Sequence, residues 1–529
     1  MLASRASISR SVLRHNSVRL ATIATPIHAN IFLKNRIRFN STSTTENVPE
    51  TISIVPTITK LTPLESFQSD LEASLVGHLE SRHLIEQKSS DELYELPQTK
   101  KFTLYCGADP SAQSLHLGNL LPLMVLLHFN LRGHDVVGLV GGATGAVGDP
   151  SGRTTERTQL EEKERLKNVE KIQDQLRDFL KNGIAYAKSR NFPIKEQGKI
   201  IIENNINWWE SVKMLDFLST FGRFIRISAI LNRDSVQSRL NSESGLGFNE
   251  FTYQILQAYD FWHLFKTYNV NLQIGGNDQW GNITAGTDLI SRLQRNQIET
   301  DGNEKIETQN VYGMTVPLLT TPTGEKFGKS AGNAVFIDKY LTSPYQLYQY
   351  FINTPDEMVA KLLKIFTLLP IQIIDQEIMI NHEQDPGLRI AQRILAREVV
   401  DLIHGNGSGE SMAYITSFLF PTPDQPFDDQ ISADKLIEQF DKSGILVRFK
   451  SPAREEEIKL STILATLTGK SRREIKTLIK SGGVYLGLER DQFEDPDDVV
   501  LFDRDNHLID DKLLLIRIGK QTYYVVEFY

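Results

Sequence analysis

Residues 101–119 read KFTLYCGADPSAQSLHLGN, and this stretch decides the predicted fold. Lys101–Leu104 predicts a short strand that runs into a glycine-containing turn, and Leu117–Asn130 predicts an apolar helix. A second apolar strand, His134–Val140, opens into the glycine-rich turn Gly141–Gly145. Strand, glycine turn, helix and strand in that order indicate an α/β fold with a parallel sheet and crossover helices. Ligands of such sheets bind at the carboxyl ends of the strands, where both turns fall.

Two polar clusters lie far apart in the chain, His116–Asn119 and Lys326–Ser330. The first opens the predicted helix, where backbone N–H groups form a natural anion site. The second fails as a P-loop, because that motif needs glycine at the position of Thr323. Imidazole and lysine donors stabilise the charge that moves onto pyrophosphate when ATP is attacked at its α-phosphate. The two clusters therefore predict two loops that meet over one nucleotide.

A polar stripe runs along one face of a predicted helix that is otherwise apolar. Tyr253, Gln257 and Asp260 share this face, which indicates either a polar ligand or a buried structural network. Further polar side chains follow predicted strands. Asp149 could pair with an ammonium group or belong to an ordinary Asp-Pro turn. Arg153 and Arg157 could reach phosphate, and Asp278 and Gln279 could bind ribose hydroxyls.

The composition is that of a globular protein. Hydrophobic residues make up 40% and charged residues 23% of the 529 positions, and no apolar run reaches the ~18 residues of a membrane helix. Seven cations precede Glu46, the first acid, so the net charge of −8 divides into +7 and −15. This basic, acid-free start predicts a mitochondrial transit peptide, with a nucleic-acid-binding arm as the alternative. Cys106 is the only cysteine, which excludes intramolecular disulfides and a cysteine zinc site.

Changes of pattern divide the chain into five predicted segments, which are 1–46 (transit peptide and linker start), 47–100 (linker and N-terminal helix), 101–344 (parallel-sheet domain with a connective insertion), 345–455 (helical domain) and 456–529 (a smaller α+β domain). Within segment 101–344, Thr158–Asn182 predicts a charged, solvated surface helix. Trp208–Leu240 predicts a helical region that packs against a partner subunit.

Together these residues resemble tyrosyl-tRNA synthetases of the bacterial and mitochondrial type, members of the class I aminoacyl-tRNA synthetases. The match runs from about Ser66 to the C-terminus and is most specific in segments 105–119, 141–157, 253–260, 273–286 and 326–330. The resemblance implies a Rossmann-like catalytic domain, an α-helical anticodon-binding domain and a C-terminal S4-like RNA-binding domain. It also implies that tyrosine and ATP form tyrosyl-adenylate, from which tyrosine passes to the 3′ end of tRNA(Tyr).

The resemblance further implies a role for each candidate residue. Tyr105 and Asp260 match the pair that binds the phenol hydroxyl, and the whole tyrosine-binding set is Tyr105, Asp149, Tyr253, Gln257, Asp260, Gln273 and Gln279. The ATP-binding set is Cys106, Gly107, Asp109, His116, Gly118, Asn119, Gly276, Asp278, Lys326 and Lys329. The catalytic set that stabilises the phosphates is Ser111, His116, Asn119, Arg153, Arg157, Lys326, Lys329 and Ser330. Asn119 departs from the family, where many members have histidine, and Arg153 stands where some have lysine.

Segment 469–486 resembles an S4 domain and carries a basic helix. Its predicted RNA-binding cations are Lys470, Arg472, Arg473, Lys476 and Lys480, with a solvated helix face as the alternative. The implied partners are L-tyrosine, ATP with Mg²⁺ and tRNA(Tyr), in a homodimer of the mitochondrial matrix that binds no metal of its own and no membrane. Two rival hypotheses stay open, a tryptophanyl-tRNA synthetase and an RNA-binding or intron-splicing protein on the same scaffold. Asp260 with Tyr105 argues against the first.

Overall fold

The computed structural model describes residues 64–152, 155, 160–194, 196–243, 245–301, 308–320, 327, 329–330, 333–421, 432–450, 458–488, 490–493, 495, 499–500, 507–519 and 522–529. The predicted transit peptide, most of the predicted linker, Arg153, Arg157 and Lys326 lie outside these residues. For Lys329 and Ser330 the backbone is described but the side chains are not.

A six-stranded sheet forms the centre of the first half of the chain, in the order β1-β6-β5-β2-β3-β4. Its strands are β1 (Gln87–Lys88), β2 (Thr103–Ala108), β3 (Asp135–Val140), β4 (Ile200–Asn204), β5 (Leu272–Gly276) and β6 (Tyr312–Val316). A separate two-stranded hairpin follows, with β7 (Lys329–Ser330) and β8 (Asn333–Ala334). The antiparallel edge strand β1 is joined to five parallel strands. This confirms the predicted parallel sheet. Because β2 lies between β3 and β5, the strand order reverses beside it, which is where such sheets bind ligands.

Helices cover both faces of this sheet and extend from it. They are α1 (Gln68–Glu72), α2 (Leu75–Ser81), α3 (Leu96–Thr99), α4 (Leu120–Asn130), α5 (Glu162–Ser189), α6 (Ile206–Trp209), α7 (Met214–Thr220), α8 (Ile227–Leu231), α9 (Asp234–Leu240), α10 (Phe248–Tyr268) and α11 (Trp280–Asp301). Every residue of α4 is buried, as its apolar sequence requires. Among the helices of the described residues, none combines the length and hydropathy needed to cross a bilayer.

The long helix α5 corrects one prediction, because it is not simply a solvated surface helix. Val169, Ile172 and Leu176 belong to a buried stripe along one face, and these apolar positions recur at helical spacing. At its end, Arg190 forms ion pairs with Glu398 at 2.8 Å and with Asp401 at 2.6 Å. The charged residues thus occupy one face of α5, while the other face joins the sheet to the helices that follow.

A helical unit comes next and contains α12 (Pro344–Ile352), α13 (Asp356–Phe366), α14 (Ile371–Ile373), a π-helix (Ile374–Ile378), α15 (Met379–Gln384), α16 (Ile390–His404), α17 (Ser408–Leu419) and α18 (Ala433–Ser443). Ser343 caps α12 by accepting from the backbone of Gln346, and Pro344 occupies the first turn. The amphipathic helices of this unit share one hydrophobic core with the central sheet.

The C-terminal unit combines two helices with short strands, which are β9 (Leu446–Phe449), β10 (Ile458–Lys459), α19 (Leu460–Thr468), α20 (Arg472–Lys480), β11 (Val484–Leu486), β12 (Asp491–Phe493), β13 (Val499–Val500), β14 (Leu508–Ile509), β15 (Leu513–Ile518) and β16 (Thr522–Phe528). Its main sheet has the order β12-β11-β15-β16-β9. Strand β9 precedes the predicted start of the C-terminal domain yet pairs in parallel with the last strand. Leu513 and Val525 of this sheet share a core with Phe440 of α18, so the C-terminal unit packs directly on the helical unit.

Candidate active site

Two buried polar atoms lie at the same level of neighbouring strands beside the point where strand order reverses. Tyr105 of β2 is in register with Gln273 of β5, and their side chains are 1% and 3% exposed. Among the described residues, neither the Tyr105 hydroxyl nor Gln273 Oε1 has a hydrogen-bond partner. An unpaired buried polar group costs about 1–3 kcal/mol. This pair therefore indicates that a polar ligand completes the site.

Asp260 supplies a buried carboxylate to the same site. Its Oδ1 accepts the indole N–H groups of Trp208 at 2.8 Å and Trp209 at 2.7 Å, and its Oδ2 accepts the Asn205 amide at 2.9 Å. Burial raises the pKa of this carboxyl to about 7 although the three donors lower it, and the charge of Asp109 raises it further. The carboxylate is thus an acceptor whose protonation changes near neutral pH.

Sequence reasoning missed the three groups that hold Asp260. Trp208 and Trp209 were predicted to lie at a partner subunit, but the structure places both indole N–H groups against Asp260. Asn205 directly precedes α6, and its amide also donates to the Thr144 hydroxyl at 2.9 Å. These contacts join β4 to α10, about fifty residues later in the chain, and local spacing gives no signal for them.

A second polar network surrounds Asp149. Gln279 donates to its Oδ2 at 2.7 Å, and the Ser151 N–H donates to its Oδ1 at 2.9 Å. Gln257 donates to Gln279 at 3.3 Å and accepts from the Asn282 amide at 3.2 Å. Asn282 was not predicted. It lies in the first turn of α11, three residues after Gln279 of the preceding 3-10 turn, and its amide donates to Gln279 at 3.1 Å. Three predicted tyrosine-binding residues, Asp149, Gln257 and Gln279, are therefore brought together.

Tyr253 links the predicted tyrosine and nucleotide sets. Its hydroxyl donates to Asp109 with O···O distances of 3.1 Å to both carboxylate oxygens. Tyr253 comes from α10, and Asp109 follows the last residue of β2. One candidate for amino-acid binding is thus joined directly to one candidate for nucleotide binding by a hydrogen bond.

The first loop has a defined backbone geometry. His116 Nδ1 accepts the Gly118 N–H at 3.0 Å, and Asn119 Oδ1 accepts the His116 N–H at 3.0 Å. A side chain at Gly118 would bring its Cβ within 2.9 Å of the imidazole, so glycine is needed for this close approach. The two bonds form a capping box at the helix start, and they hold the imidazole there. The Leu117 and Asn119 N–H groups also donate to backbone carbonyl oxygens. The prediction of an anion site made by the backbone N–H groups of residues 116–119 is therefore wrong, and only the side chains of this loop are left for that role.

The chain that follows the second cluster pairs with the first cluster through backbone hydrogen bonds. The β7–β8 hairpin contains Lys329 and Ser330, and the chain then forms an isolated antiparallel bridge between Phe336 and His116. Phe327 is buried, and its ring lies 5.5 Å from that of Tyr350 in α12. The predicted meeting of the two clusters is supported at the level of the backbone, while Arg153, Arg157, Lys326 and the side chains of Lys329 and Ser330 fall outside the description.

The remaining candidates lie in the hydrophobic core, at exposed positions near the strand ends or in a different unit. Cys106 is buried, and burial raises the pKa of its thiol to about 12. Ser111 and Asp278 are exposed, and Asp278 lies close enough to Gly152 that a Cβ there would come within 2.8 Å of its carboxylate. Gly107 and Gly276 lie at the carboxyl ends of strands β2 and β5. The basic residues predicted to bind RNA belong to the C-terminal unit. Four of them lie on α20, and Lys470 lies just before this helix; the four are Arg472, Arg473, Lys476 and Lys480.

The chain is similar to known proteins over most of its length. Residues 97–420 match the family described as tRNA synthetases class I (W and Y). The mitochondrial tyrosine–tRNA ligase of Saccharomyces cerevisiae is 47% identical over 460 residues, which cover 86% of this chain and 89% of that protein. Its counterpart in Schizosaccharomyces pombe is 41% identical over 439 residues, covering 81% and 94%. A solved C-terminally truncated mitochondrial tyrosyl-tRNA synthetase from Aspergillus nidulans superposes with a TM-score of 0.61 at 36% identity, covering 69% of this chain and 98% of that one.

Proposed function

Because this chain belongs to the class I tRNA synthetases of the tryptophan and tyrosine family, we propose that it attaches tyrosine to tRNA(Tyr) in mitochondria. The observation that favours tyrosine over tryptophan as the substrate is the buried Asp260 carboxylate beside the Tyr105 hydroxyl. A phenol hydroxyl both donates and accepts and so satisfies both groups, whereas an indole N–H only donates. The purified mature chain should charge tRNA(Tyr) with tyrosine and not with tryptophan. Charging with tryptophan at an equal rate would contradict the proposal.

The first step joins tyrosine to ATP. The carboxylate oxygen of tyrosine attacks the α-phosphorus, the bond from that phosphorus to the pyrophosphate oxygen breaks, and its electron pair leaves with pyrophosphate. The nucleophile is already ionised, so no general base is required. We assign the α-ammonium group to Asp149, Gln257 and Tyr253. What supports this assignment is that the Asp149 carboxylate is buried and that Gln257 belongs to the same polar network. Fixing both ends of tyrosine orients its carboxylate for attack.

The phosphates are the proposed ligands of the two clusters. The capping box holds the side chains of His116 and Asn119 at the start of a helix, where the helix dipole favours negative charge. Lys326 and Lys329 would add positive charge as pyrophosphate leaves, together with Arg153, Arg157, Ser111 and Ser330. Magnesium would accompany ATP as a counter-ion of its phosphates.

In the second step a ribose hydroxyl at the 3′ end of the tRNA attacks the carbonyl carbon of tyrosyl-adenylate. The bond from that carbon to the phosphate oxygen breaks, AMP leaves, and the tyrosyl ester of the tRNA is formed. For the tRNA itself we assign the helical unit to the anticodon and the C-terminal unit to an S4-like RNA contact. What supports the latter is α20, where Arg472, Arg473 and Lys480 are exposed and the capping box of Ser471 with Glu474 fixes the helix start. Phosphate contacts by such cations supply much of the affinity of RNA-binding surfaces.

A homodimer is supported by apolar side chains that are exposed on the region following Trp209. Met214 and Leu215 of α7 are 69% and 79% exposed, Ile227 of α8 is 63% exposed, and Phe248 at the start of α10 is 75% exposed. Large clusters of this kind are uncommon on monomeric proteins and mark association surfaces. The partner that covers them in this proposal is a second copy of the chain.

Mitochondrial location is supported by the relatives, whose names place them there, and by the acid-free basic start of the sequence. The test is N-terminal sequencing of the protein isolated from mitochondria. Loss of roughly the first forty residues is expected for a removed transit peptide. An intact Met1 on the mitochondrial protein would contradict removal of that segment.

A further inference from the structure

The indole of Trp209 makes a contact that the roles assigned above leave unexplained. Its N–H reaches the same carboxylate oxygen of Asp260 that Trp208 already contacts, at 2.7 Å and 2.8 Å respectively. Asn205 holds the other oxygen at 2.9 Å. Three N–H donors among the described residues thus converge on one buried carboxylate, two of them from adjacent residues of α6.

This arrangement fixes the direction of hydrogen bonding. A carboxylate has about four acceptor positions, and an indole N–H can donate but never accept. Two indoles on Oδ1 therefore leave no room for a proton on that oxygen, and the Asn205 amide occupies one position on Oδ2. The remaining acceptor position of Oδ2 suits a hydroxyl that donates. A phenol hydroxyl has this property, and the benzene ring of phenylalanine does not.

Packing fixes where the Trp209 N–H points. The indole ring lies 4.8 Å from the ring of Tyr259 and 5.5 Å from that of Phe217, so its orientation is set from two sides. The titratable groups that act on Asp260 from the surrounding elements are Asp109 after β2, Tyr105 on β2 and the adjacent Tyr259. None of these three donates a proton to Oδ1 among the contacts described, so the indole pair alone sets the polarity of that oxygen.

We propose that Trp209 is a positioning residue for amino-acid selection, whose N–H keeps Asp260 an acceptor reserved for the phenol hydroxyl of tyrosine. This inference rests on the proposed function, because it assumes that tyrosine is the ligand. It goes further by assigning part of the discrimination between tyrosine and phenylalanine to a residue that acts through its hydrogen bond to Asp260.

The test is Trp209→Phe in the full-length mature enzyme, measured by amino-acid-dependent exchange of pyrophosphate into ATP. Phenylalanine keeps an aromatic ring between Tyr259 and Phe217 but removes the N–H. We expect kcat/KM for tyrosine to fall about 10- to 100-fold, the usual effect of one hydrogen bond to a charged group. The value for phenylalanine and the KM for ATP should hardly change. The pH at which kcat/KM for tyrosine reaches half its maximum should move upward, since this N–H lowers the pKa of Asp260.

Trp262→Phe is the matched control, because Trp262 is partly buried on α10 and packs against Phe265 at 5.8 Å. It should leave both the tyrosine preference and the pH profile unchanged. Trp209→Leu removes the same N–H with a different shape and should lose the same discrimination, which separates the hydrogen bond from packing. An unchanged preference and pH profile in both Trp209 variants, or an equal loss in Trp262→Phe, would overturn the inference. A wild-type enzyme inactive with tyrosine would instead overturn the proposed function.

Discussion

The Leu117 N–H donates to the Val335 carbonyl oxygen at 3.1 Å. The Ile337 N–H returns a bond to the Leu115 carbonyl oxygen at 3.0 Å, so the two segments form a short antiparallel pair. His116 lies within one segment, and the other follows directly on the β7–β8 hairpin. Backbone hydrogen bonds therefore join the first cluster to the segment that follows the hairpin of Lys329 and Ser330, which supports the proposed joint action of the two clusters on one nucleotide.

Phe327→Ala should slow adenylate formation without weakening tyrosine binding. The ring of Phe327 lies 5.5 Å from that of Tyr350 and 6.2 Å from that of Phe366, so it fastens the lysine-bearing segment to α12 and α13. Truncating a buried phenylalanine to alanine lowers the free energy of unfolding by about 3–5 kcal/mol. Because part of this loss should appear as a displacement of the lysine-bearing segment, we expect kcat for pyrophosphate exchange to fall about 100-fold. Phe327→Leu, which stays apolar, should lose much less. A normal kcat in Phe327→Ala would contradict the anchoring role.

Tyrosine activation should depend on pH through Asp260. Burial raises the pKa of this carboxyl to about 7, and the ionised form is the stronger acceptor for the phenol hydroxyl. The value of kcat/KM for tyrosine should rise between about pH 6 and pH 8, while that for phenylalanine stays flat. The folded-state pKa lies above the ordinary value of 3.8, so the protonated form of Asp260 favours the folded state and the ionised form opposes it. The free energy of unfolding therefore contains a favourable contribution from Asp260 at low pH, which is lost as pH rises from about 4 to about 7. A flat tyrosine profile would mean that Asp260 does not contact the phenol.

Leu215→Glu should convert the enzyme to monomers. Leu215 is 79% exposed on α7, so the substitution leaves the folded monomer nearly unaffected but places a charge in the proposed subunit interface. Sedimentation velocity should show a dimer for the wild type and a monomer for the variant. Glu377 lies exposed on the helical unit, and Glu377→Leu serves as a control that should not change the mass. A wild-type monomer would refute the dimer.

Arg472→Ala combined with Arg473→Ala should weaken tRNA charging and spare adenylate formation. Both cations are exposed on α20, remote in sequence from the catalytic segments. We expect the KM for tRNA to rise about tenfold and its dependence on salt to become shallower, since fewer phosphate contacts are made. Pyrophosphate exchange should not change. Equal tRNA affinity in the variant would favour the simpler interpretation of α20 as a solvated helix face.

The central sheet was predictable because its signals are local. Apolar runs and glycine turns place β3 and the buried helix α4 within a few residues of their predicted bounds. Other features depend on contacts between distant segments. Trp208 and Trp209 bind a carboxylate about fifty residues away, and nothing in their own sequence indicates that partner. The buried face of α5 did carry a signal, since Val169, Ile172 and Leu176 recur at helical spacing, but the many charges around them favoured a solvated helix.

The C-terminal boundary illustrates a second limit. The change of composition near Ile458 predicts a new domain there, yet β9 ends at Phe449 and pairs with β16. A four-residue edge strand has too little pattern of its own to be assigned to a sheet whose other strands come later. The site shows the same contrast, because the predicted residues Asp149, Gln257 and Gln279 are united by Asn282, which only the folded chain identifies.

The most direct test of the central claim is exchange of pyrophosphate into ATP by the purified mature chain with tyrosine, phenylalanine or tryptophan as the only amino acid. The buried Asp260 and Tyr105 pair predicts rapid exchange with tyrosine and exchange lower by several orders of magnitude with phenylalanine, because the phenol-binding groups would be left unpaired; a tyrosyl-tRNA synthetase, itself a known example of this effect, reaches a ratio of about 10⁵. Tryptophan should also fail. No exchange with tyrosine, or equal exchange with tryptophan, would contradict the account.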